Sequence, residues 1–385
     1  MIGGPAQPAR VRRALLAWYA RHARELPWRS RRDPWRVWVS ETMLQQTRVE
    51  AVIEPYRRFI AAFPTLTALA RAHEDEVLAR WSGLGYYRRA RLLHAGARFV
   101  KTQHRGRIPR SREELERVPG IGAYTAAALL SIAFGEPQAA VDANVARVVA
   151  RLRGIADPRS PGGRVAARQF ASALVDCARP GDVNEALMDL GSAICTARIA
   201  RCQCCPLARM CRARKAGDVL RFAASRPRKP PRPVQLVCAV VTDARDRVLF
   251  VRRAPGDALL AGLWDLPGFE RGDAPSPPRN GAESPCDAEA LKKVVHAGSG
   301  LRVDVGEPLL SLRHDIVGRR ITATVHVSNC GGNGRLAAGA RFLSREELES
   351  VGLPALPLKI LRALDRRARA PRFPTSRDCA ARGAA

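Results

Sequence analysis

Long apolar runs are missing from this 385-residue chain, although 46% of its residues are hydrophobic. No run approaches the roughly 20 residues that a helix needs to cross a bilayer. The first ten residues also lack the apolar segment of a secretory leader. These absences predict a cytoplasmic protein of bacterial type without a membrane partner, and the length predicts two domains.

Lysine is scarce, since only 6 of the 65 basic residues are lysine. A skew of this kind toward arginine is typical of a genome rich in G and C. The net charge of +29 therefore does not by itself establish a nucleic-acid partner. The basic excess is concentrated in residues 1–226, which carry 39 basic and 19 acidic side chains. DNA is the polyanion that such a surface favours.

The chain changes character at a proline-rich segment, residues 226–233, which holds four prolines and predicts a semi-rigid linker. Upstream, helical periodicity predicts an all-α domain over residues 1–225. Asp33-Pro34 has the pattern of a helix start, and Ser111 with Glu114 forms a capping box. Phosphate contacts would be favoured where glycines open a turn between two such helices.

Downstream of the linker the apolar period becomes that of strands. Strands are predicted at residues 237–241, 248–251 and 321–327, with short helices at residues 344–349 and 357–365. The sequence thus predicts an α+β domain over residues 234–365. A basic tail over residues 366–385 is expected to be disordered.

Four of the ten cysteines stand close together with the spacing C-x6-C-x2-C-x5-C. Four thiolates within 17 residues favour a small inorganic centre, and the single tight pair suits a [4Fe–4S] cluster better than zinc. Zinc and unligated buried thiols remain the alternatives, and Cys204 is surplus to the pattern. The predicted ligands are Cys195, Cys202, Cys205 and Cys211.

Two carboxylates stand out because of their surroundings. Glu41 is the only acid in the apolar and neutral stretch around Trp38 and Met43, where a carboxyl group tends to keep its proton as a general acid must. Asp142 precedes a predicted helix, where it can cap the helix and face a developing cation as an ionised group. The alternatives are a solvated helix-face glutamate and a purely structural cap.

These blocks stand in an order that resembles a known superfamily: the helix–hairpin–helix DNA glycosylases with an iron–sulfur cluster, which include endonuclease III and the adenine glycosylases of the MutY type. The resemblance covers nearly all of residues 1–226. The matching stretches are Leu26-Pro-Trp-Arg29, Asp33 to Thr47, Gly83-Leu-Gly-Tyr-Tyr87, Val118-Pro-Gly-Ile-Gly122, Val141-Asp-Ala-Asn-Val145, Asn184 to Gly191 and the four cysteines.

The resemblance implies a monofunctional enzyme that excises adenine opposite 8-oxoguanine or guanine. Tyr124 stands where bifunctional members have a lysine nucleophile, and without that amine β-elimination has no electron sink. Glu41 would protonate adenine N7 and then activate water, while Asp142 would stabilise the sugar cation. Asn144 and Tyr124 would orient the water.

The resemblance also implies a DNA surface on a monomeric enzyme. Gln46, Leu84 and Tyr86 would fill the gap left by the extruded base, although ordinary turn and core packing is the alternative. The hairpin glycines Gly120 and Gly122 would contact phosphate. Arg29 would also contact DNA, and Arg24, Arg29 and Glu185 match supporting positions of the family.

The second domain resembles the Nudix-like domain of the adenine-specific branch through Gly262-Leu-Trp-Asp-Leu-Pro-Gly268. Residues 288–295 lack the glutamates that hold magnesium in a Nudix hydrolase, so no phosphohydrolase activity is expected. The family's lesion-reading turn, H-x-F-S-H, is replaced here by residues 314–318. Recognition of 8-oxoguanine is then expected to use backbone N–H groups or Arg319, or else to be weakened.

Two other functions are compatible with parts of this pattern. One is a bifunctional glycosylase and lyase acting on oxidised pyrimidines, which Tyr124 and the second domain argue against. The other is a catalytically silent DNA-binding iron–sulfur protein, which the presence of both carboxylates argues against.

Overall fold

A computed structural model describes residues 6–224, 230–257, 259–271, 285–330 and 335–369 of the chain. The chain divides into two compact units, and the boundary between them in the sequence follows residue 228. Each unit is described by itself. Within the described residues no helix is both long and apolar enough to cross a membrane.

The first unit is helical, as the sequence predicts. Its core joins α1 to α9, α10 and α11 through fully buried side chains such as Leu15, Val149, Leu174 and Leu187. The helices are α1 (Ala6–His22), α2 (Pro34–Leu44), α3 (Val49–Ala62), α4 (Leu66–Arg71), α5 (Glu74–Arg80), α6 (Arg88–Gln103), α7 (Arg112–Arg117), α8 (Ala123–Ala128), α9 (Ala143–Arg153), α10 (Pro161–Val175), α11 (Pro180–Asp189) and α12 (Arg212–Lys215).

The predicted helix starts are confirmed. Asp33 accepts a hydrogen bond from the backbone N–H of Arg36 at 3.0 Å, and Ser111 accepts one from Glu114 at 3.1 Å. Both α8 and α11 continue into a π-helical turn, Leu129–Ala133 and Leu190–Ile194. π turns are rare and frequent at functional sites. Here the second one leads directly into the cysteine segment.

Helix α6 packs against the turn between α7 and α8 through a glycine. A Cβ atom added to Gly96 would lie 2.6 Å from the carbonyl oxygen of Pro119 and 2.8 Å from the ring of Trp38. Gly120 has φ of +85°, and a Cβ there would lie 2.9 Å from Cβ of Leu92 on the same helix. The hairpin turn is therefore seated on α6 by close contacts that only glycine allows.

The second unit is a mixed sheet covered by one helix on each face. The strands are β1 (Arg232–Thr242), β2 (Val248–Arg252), β3 (Trp264–Asp265), β4 (Gly268–Glu270), β5 (Pro308–Ile316), β6 (Arg319–Asn329) and β7 (Ala340–Leu343). Their order is β3-β2-β1-β6-β5, with β4 on β1 and β7 on β2, and only the β1–β6 pair is parallel among these pairings. The helices are α13 (Pro285–Ser299) and α14 (Ala355–Arg369).

The two helices bury separate apolar faces of this sheet. Leu291 and Val295 of α13 pack on one face, while Ile360 and Leu361 of α14 pack on the other. The α+β prediction is thus confirmed.

Two predicted boundaries need correction. The linker does not extend to residue 233, because β1 begins at Arg232 and pairs there with Arg319. A proline is tolerated at the start of a strand, and Pro233 occupies that position. The tail does not begin at residue 366, since α14 continues to Arg369. Residues 226–229 of the predicted linker and residues 370–385 of the predicted tail lie outside the described residues.

Candidate active site

Glu41 lies in α2 and is only 7% exposed, with Trp38 and Met43 buried beside it as predicted. The pKa of Glu41 is raised to about 7, chiefly because burial removes the carboxylate from water. A hydrogen bond from Tyr124 acts in the opposite direction. A carboxyl group with this pKa is protonated in a large fraction of molecules at neutral pH, which is the state that a general acid requires.

Tyr124 and Asp142 share this site with Glu41. Burial raises the pKa of the Tyr124 phenol well above its usual value, and the negative charges of Glu41 and Asp142 add to the effect. Asp142 in turn raises the pKa of Glu41. The phenol therefore stays protonated and can donate a hydrogen bond to the Glu41 carboxyl group, and the sulfur of Met188 lies 3.8 Å from its oxygen.

Asp142 caps the N-terminus of α9 and also faces this site. One carboxylate oxygen accepts a hydrogen bond from the backbone N–H of Val145 at 2.7 Å, and the other accepts one from the side-chain amide of Asn144 at 2.7 Å. The structural alternative for Asp142, a helix cap, is thus confirmed, and the functional role stays a prediction. Two hydrogen bonds fix the carboxylate at the positive end of a helix, where it can face a developing cation.

A layer of arginines and acids lies next to Glu41. Arg29 forms ion pairs with Glu185 at 3.0 Å and with Asp189 at 2.7 Å, and Arg24 also pairs with Asp189. Burial opposes the charge on Arg29, but the hydrogen bond to Asp189 and the charge of Glu185 outweigh it and raise its pKa.

The prediction of Arg29 as a DNA contact needs correction. Its side chain is 13% exposed and its guanidinium is occupied by two carboxylates. In this position it offsets negative charge beside Glu41, whose pKa it lowers.

The predicted gap-filling residues lie on two loops. Gln46 is exposed after α2, and Tyr86 is 42% exposed before α6. Both have left-handed backbones, with φ of 60° and 48°. Leu84 is buried at 6% exposure, because it packs beneath the second loop. As the loops stand, Gln46 and Tyr86 present their side chains to solvent and Leu84 does not.

The hairpin between α7 and α8 leaves its backbone accessible. Gly122 is the N-cap of α8, no side chain caps the helix there, and a Cβ atom at Gly122 would meet nothing within 4 Å. Gly120 faces α6 instead. An uncapped helix start with an open approach is the arrangement that binds phosphate oxygens through backbone N–H groups.

The four spaced cysteines line one cavity of about 280 Å³, together with Ile194, Arg214 and Val219 among others. Burial raises the pKa of the Cys205 thiol to about 12 and also raises that of Cys211. Cys204 is exposed, as expected of a bystander. No group of three or more His, Cys, Asp or Glu side chains within the described residues converges closely enough for a single metal ion. The four thiols border one common space, and this fits a centre that takes four thiolate ligands.

A buried arginine connects Asp142 with the cysteine segment. Arg147 of α9 donates to the side-chain oxygen of Asn144 at 3.0 Å and to the carbonyl oxygen of Cys195 at 2.9 Å. One turn later, Arg151 approaches the sulfur of Cys195 at 3.4 Å. The sequence analysis missed both arginines, since in an arginine-rich chain nothing local separates them from surface residues.

In the second unit, the turn at Val317 and Gly318 joins β5 to β6. Both residues have positive φ, 44° and 72°, and Val317 is 54% exposed. Beside the turn, a cavity of about 720 Å³ is lined by Ile316 and Arg319, and Arg319 forms an ion pair with Glu270. Asp265 also lines this cavity; it is half-buried, and the loss of water around its carboxylate raises its pKa.

Comparison with known protein families gives a match in each unit. A model of the HhH-GPD superfamily of base excision DNA repair proteins matches residues 39–167. A model of the NUDIX domain matches residues 237–363.

Individual proteins are similar over longer stretches. The adenine DNA glycosylase of Homo sapiens is 33% identical over 93% of this chain and 74% of its own length. That of Schizosaccharomyces pombe is 31% identical over 92% of this chain and 89% of its own length. The chain spans only 60% of the length of the rat relative, which is 39% identical. Among solved structures, a thermostable thymine-DNA glycosylase matches with a TM-score of 0.51 and 29% identity, covering 55% of this chain and 98% of its own.

Proposed function

The chain belongs to the adenine DNA glycosylases, and on that premise we propose that it is a monofunctional enzyme that excises adenine opposite 8-oxoguanine or guanine in duplex DNA. The observation that carries this proposal is the pair of unlike carboxyl groups in one site. Glu41 is buried and has a pKa of about 7, whereas Asp142 is fixed by two hydrogen bonds at a helix N-terminus. Cleavage of a purine glycosidic bond needs an acid that protonates the leaving base and an anion that stabilises the sugar cation.

Glu41 acts first as an acid. Adenine leaves poorly as an anion, so transfer of the Glu41 proton to N7 allows the electrons of the C1′–N9 bond to leave with a neutral base. The sugar becomes an oxocarbenium-like cation, which the carboxylate of Asp142 stabilises from close range. Glu41, now ionised, takes a proton from a water molecule as the water oxygen bonds to C1′. Tyr124 and Asn144 hold the carboxyl groups of Glu41 and Asp142 in the positions that these steps require.

The absence of strand cleavage follows from Tyr124. A lyase step requires an amine that forms a Schiff base with C1′, and a phenol hydrogen-bonded to Glu41 offers none. The alternative function, a bifunctional glycosylase for oxidised pyrimidines, lacks support for this reason.

DNA engagement is assigned to the hairpin and the two loops. The open N-terminus of α8 at Gly122 suits a backbone phosphate, while exposed Gln46 and Tyr86 suit the space that an extruded adenine vacates. A mismatch lowers the cost of that extrusion because the base pair is already weak. A single chain supplies all of these groups, which supports action as a monomer.

The iron–sulfur prediction belongs to this proposal as well. Cys195, Cys202, Cys205 and Cys211 would hold a [4Fe–4S] cluster, and their common cavity with buried Arg151 beside it fits an anionic centre of that size. The cluster would supply rigidity to a segment with few apolar side chains of its own. Arg147 then ties that segment to the helix that carries Asp142.

The second unit is proposed to read the base opposite the adenine. Its β5–β6 turn carries Val317 where the family has a serine, so any hydrogen bond to an oxidised guanine comes from backbone N–H groups or from Arg319. Arg319 already pairs with Glu270, which weakens its availability. We therefore expect a smaller preference for 8-oxoguanine over guanine. In α13, the only described acids are Asp287 and Glu289, which supports a domain without phosphohydrolase activity.

Single-turnover assays on three duplexes test the proposal: adenine opposite 8-oxoguanine, adenine opposite guanine, and thymine glycol opposite adenine. The expected result is release of adenine from the first two, with strand breakage only after alkali. Strand nicking without alkali, or activity on thymine glycol alone, would contradict it. Glu41→Gln should abolish release while DNA affinity stays within a few-fold of that of the unaltered protein.

A further inference from the structure

The loops that carry Gln46 and Tyr86 come from separate parts of the chain, yet they meet at one side chain. The first loop follows α2 and the second precedes α6. Both have left-handed residues at the exposed position, and the second also contains Gly83 and Gly85 with φ of 91° and 66°. Non-glycine residues keep such a backbone only where their surroundings hold it. Something other than local preference must fix these two loops.

Arg89, in the first turn of α6, provides that restraint. Its side chain is buried at 8% exposure and its two terminal nitrogens donate to both loops. At the end of α2, Nη1 donates to the carbonyl oxygens of Thr42 at 3.1 Å and Met43 at 2.8 Å. In the first loop, Nη1 donates to the carbonyl oxygen of Gln45 and Nη2 donates to the hydroxyl of Thr47 at 3.0 Å. Toward the second, Nη2 donates to the carbonyl oxygens of Leu84 and Gly85, both at 3.3 Å.

The guanidinium also lies against two aromatic rings. Its central carbon is 5.5 Å from the ring centroid of Trp81 and 5.3 Å from that of Tyr86. Tyr86 is thus held from two sides, by its own loop and by the cation beneath it. Cation–π contacts of this geometry gain strength where water is excluded.

The charge of Arg89 is not offset by an acid. Its partners in the described part of the chain are carbonyl oxygens, a hydroxyl and two rings, and none is a carboxylate. Burial lowers the pKa of Arg89 to about 10, so it stays cationic at neutral pH. A buried, uncompensated cation is costly in an isolated protein.

We propose that Arg89 is a positioning residue that assembles the base-extruding surface from these two loops and holds Gln46 and Tyr86 in the geometry in which they enter DNA. The inference rests on the proposed function, in which those two side chains fill the space left by the extruded base. Lysine cannot replace Arg89, because one ammonium group offers three donors from a single nitrogen and cannot span both loops.

The test compares Arg89→Lys and Arg89→Met with Arg98→Met, a matched control at an exposed arginine of the same helix. Base extrusion is followed by the fluorescence of 2-aminopurine placed next to the target adenine, and adenine release is followed under single turnover with saturating enzyme. We expect both Arg89 variants to lose at least tenfold in extrusion amplitude and release rate. The apparent pKa of the pH–rate profile should stay that of the unaltered enzyme, because Glu41 is untouched. Arg98→Met should behave as the unaltered enzyme.

Three results would overturn the inference. The first is normal extrusion by a folded Arg89→Met protein with the melting temperature and iron content of the unaltered enzyme. The second is full rescue by Arg89→Lys. The third is a shifted pH profile, which would mean that Arg89 acts through Glu41. If Arg89→Met does not fold, Thr47→Val decides: loss of its single hydrogen bond to Nη2 should reduce extrusion several-fold, and normal extrusion would refute the role. Failure of the unaltered enzyme to release adenine would refute the proposed function instead.

Discussion

The phenol of Tyr124 donates a hydrogen bond to the carboxyl group of Glu41, which is buried and has a pKa of about 7. The bond stabilises the ionised form, so it holds that pKa below the value that burial alone would produce. Burial and this hydrogen bond are the two largest of the effects that set the pH range in which Glu41 is an acid.

The pH dependence of adenine release should report this balance. Since protonated Glu41 is the active form, the single-turnover rate should fall as pH rises through about 7. Tyr124→Phe removes a contact that lowers the pKa of Glu41, so its alkaline limb should move to higher pH. Rates measured from pH 5.5 to 9 on duplexes with adenine opposite 8-oxoguanine check both. A limb that stays in place, or moves to lower pH, would exclude Glu41 as the group that titrates.

Glu41 should also cost stability at the pH where it works. Its pKa is about 4.5 in the unfolded chain and about 7 in the folded one, so the folded state binds more protons between these values and stability falls as pH rises through them. Glu41→Gln escapes this loss and should gain up to about 3 kcal/mol at pH 8 but little at pH 5. Thermal unfolding of both proteins at the two pH values measures the difference.

Glu50→Gln, at an exposed position of α3, is the control and should show no such pH dependence. A Glu41→Gln protein that melts below the unaltered enzyme at pH 8 would show that the buried, ionised Glu41 does not destabilise the folded state.

The cysteine cavity predicts a sharp difference between neighbouring thiols. Cys211→Ala removes one of the four cavity-lining sulfurs, so iron per chain should fall severalfold and DNA affinity should fall with it. Cys204→Ala removes an exposed sulfur and should leave both unchanged. Iron analysis and DNA titration of the purified proteins give the answer. Equal iron loss in the two variants would reject the ligand assignment.

The β5–β6 turn predicts a stabilising substitution. Val317 is β-branched and exposed, with φ of 44°, in a two-residue turn whose second residue is Gly318 with φ of 72°. Such turns require left-handed residues, and valine resists that conformation. Val317→Gly should therefore stabilise the second unit by roughly 1 kcal/mol.

Calorimetric unfolding of the full chain measures that gain. Ser311→Gly in β5, at an exposed position that pairs regularly with Thr324, removes a side chain from a regular strand and should lower stability. If both glycines destabilise, Val317 is unstrained.

The sequence was informative wherever a function needs neighbouring residues. Asp142 caps its own helix, the cysteines share a short segment, and Glu41 is surrounded by apolar residues of its own helix, so local pattern predicts each of them. Arg89 and Arg147 were missed because their partners lie more than 40 residues away in sequence, at Met43 and Cys195. The local sequence also does not show that the side chains of these two arginines are buried.

Exposure accounts for the remaining differences. Arg29 was expected to contact DNA, but its guanidinium forms ion pairs with two acids of α11. Leu84 was expected to project outward like Tyr86, but it packs inward. Both outcomes depend on how distant helices meet, which no local pattern encodes.

The close contact between Gly96 and the carbonyl oxygen of Pro119 has a genetic consequence. No other residue fits there without moving the hairpin or the Trp38 ring, although Gly96 lies in the middle of α6 and its nearest neighbours are Pro119 and Trp38 rather than the reacting groups. If the chain acts as proposed, a single nucleotide change in that codon would leave every reacting group chemically intact, displace the hairpin and yield a mutator allele. Genetic screens that count spontaneous G·C to T·A mutations in such a strain would detect this substitution. Inspection of the active-site residues alone would not identify it as damaging.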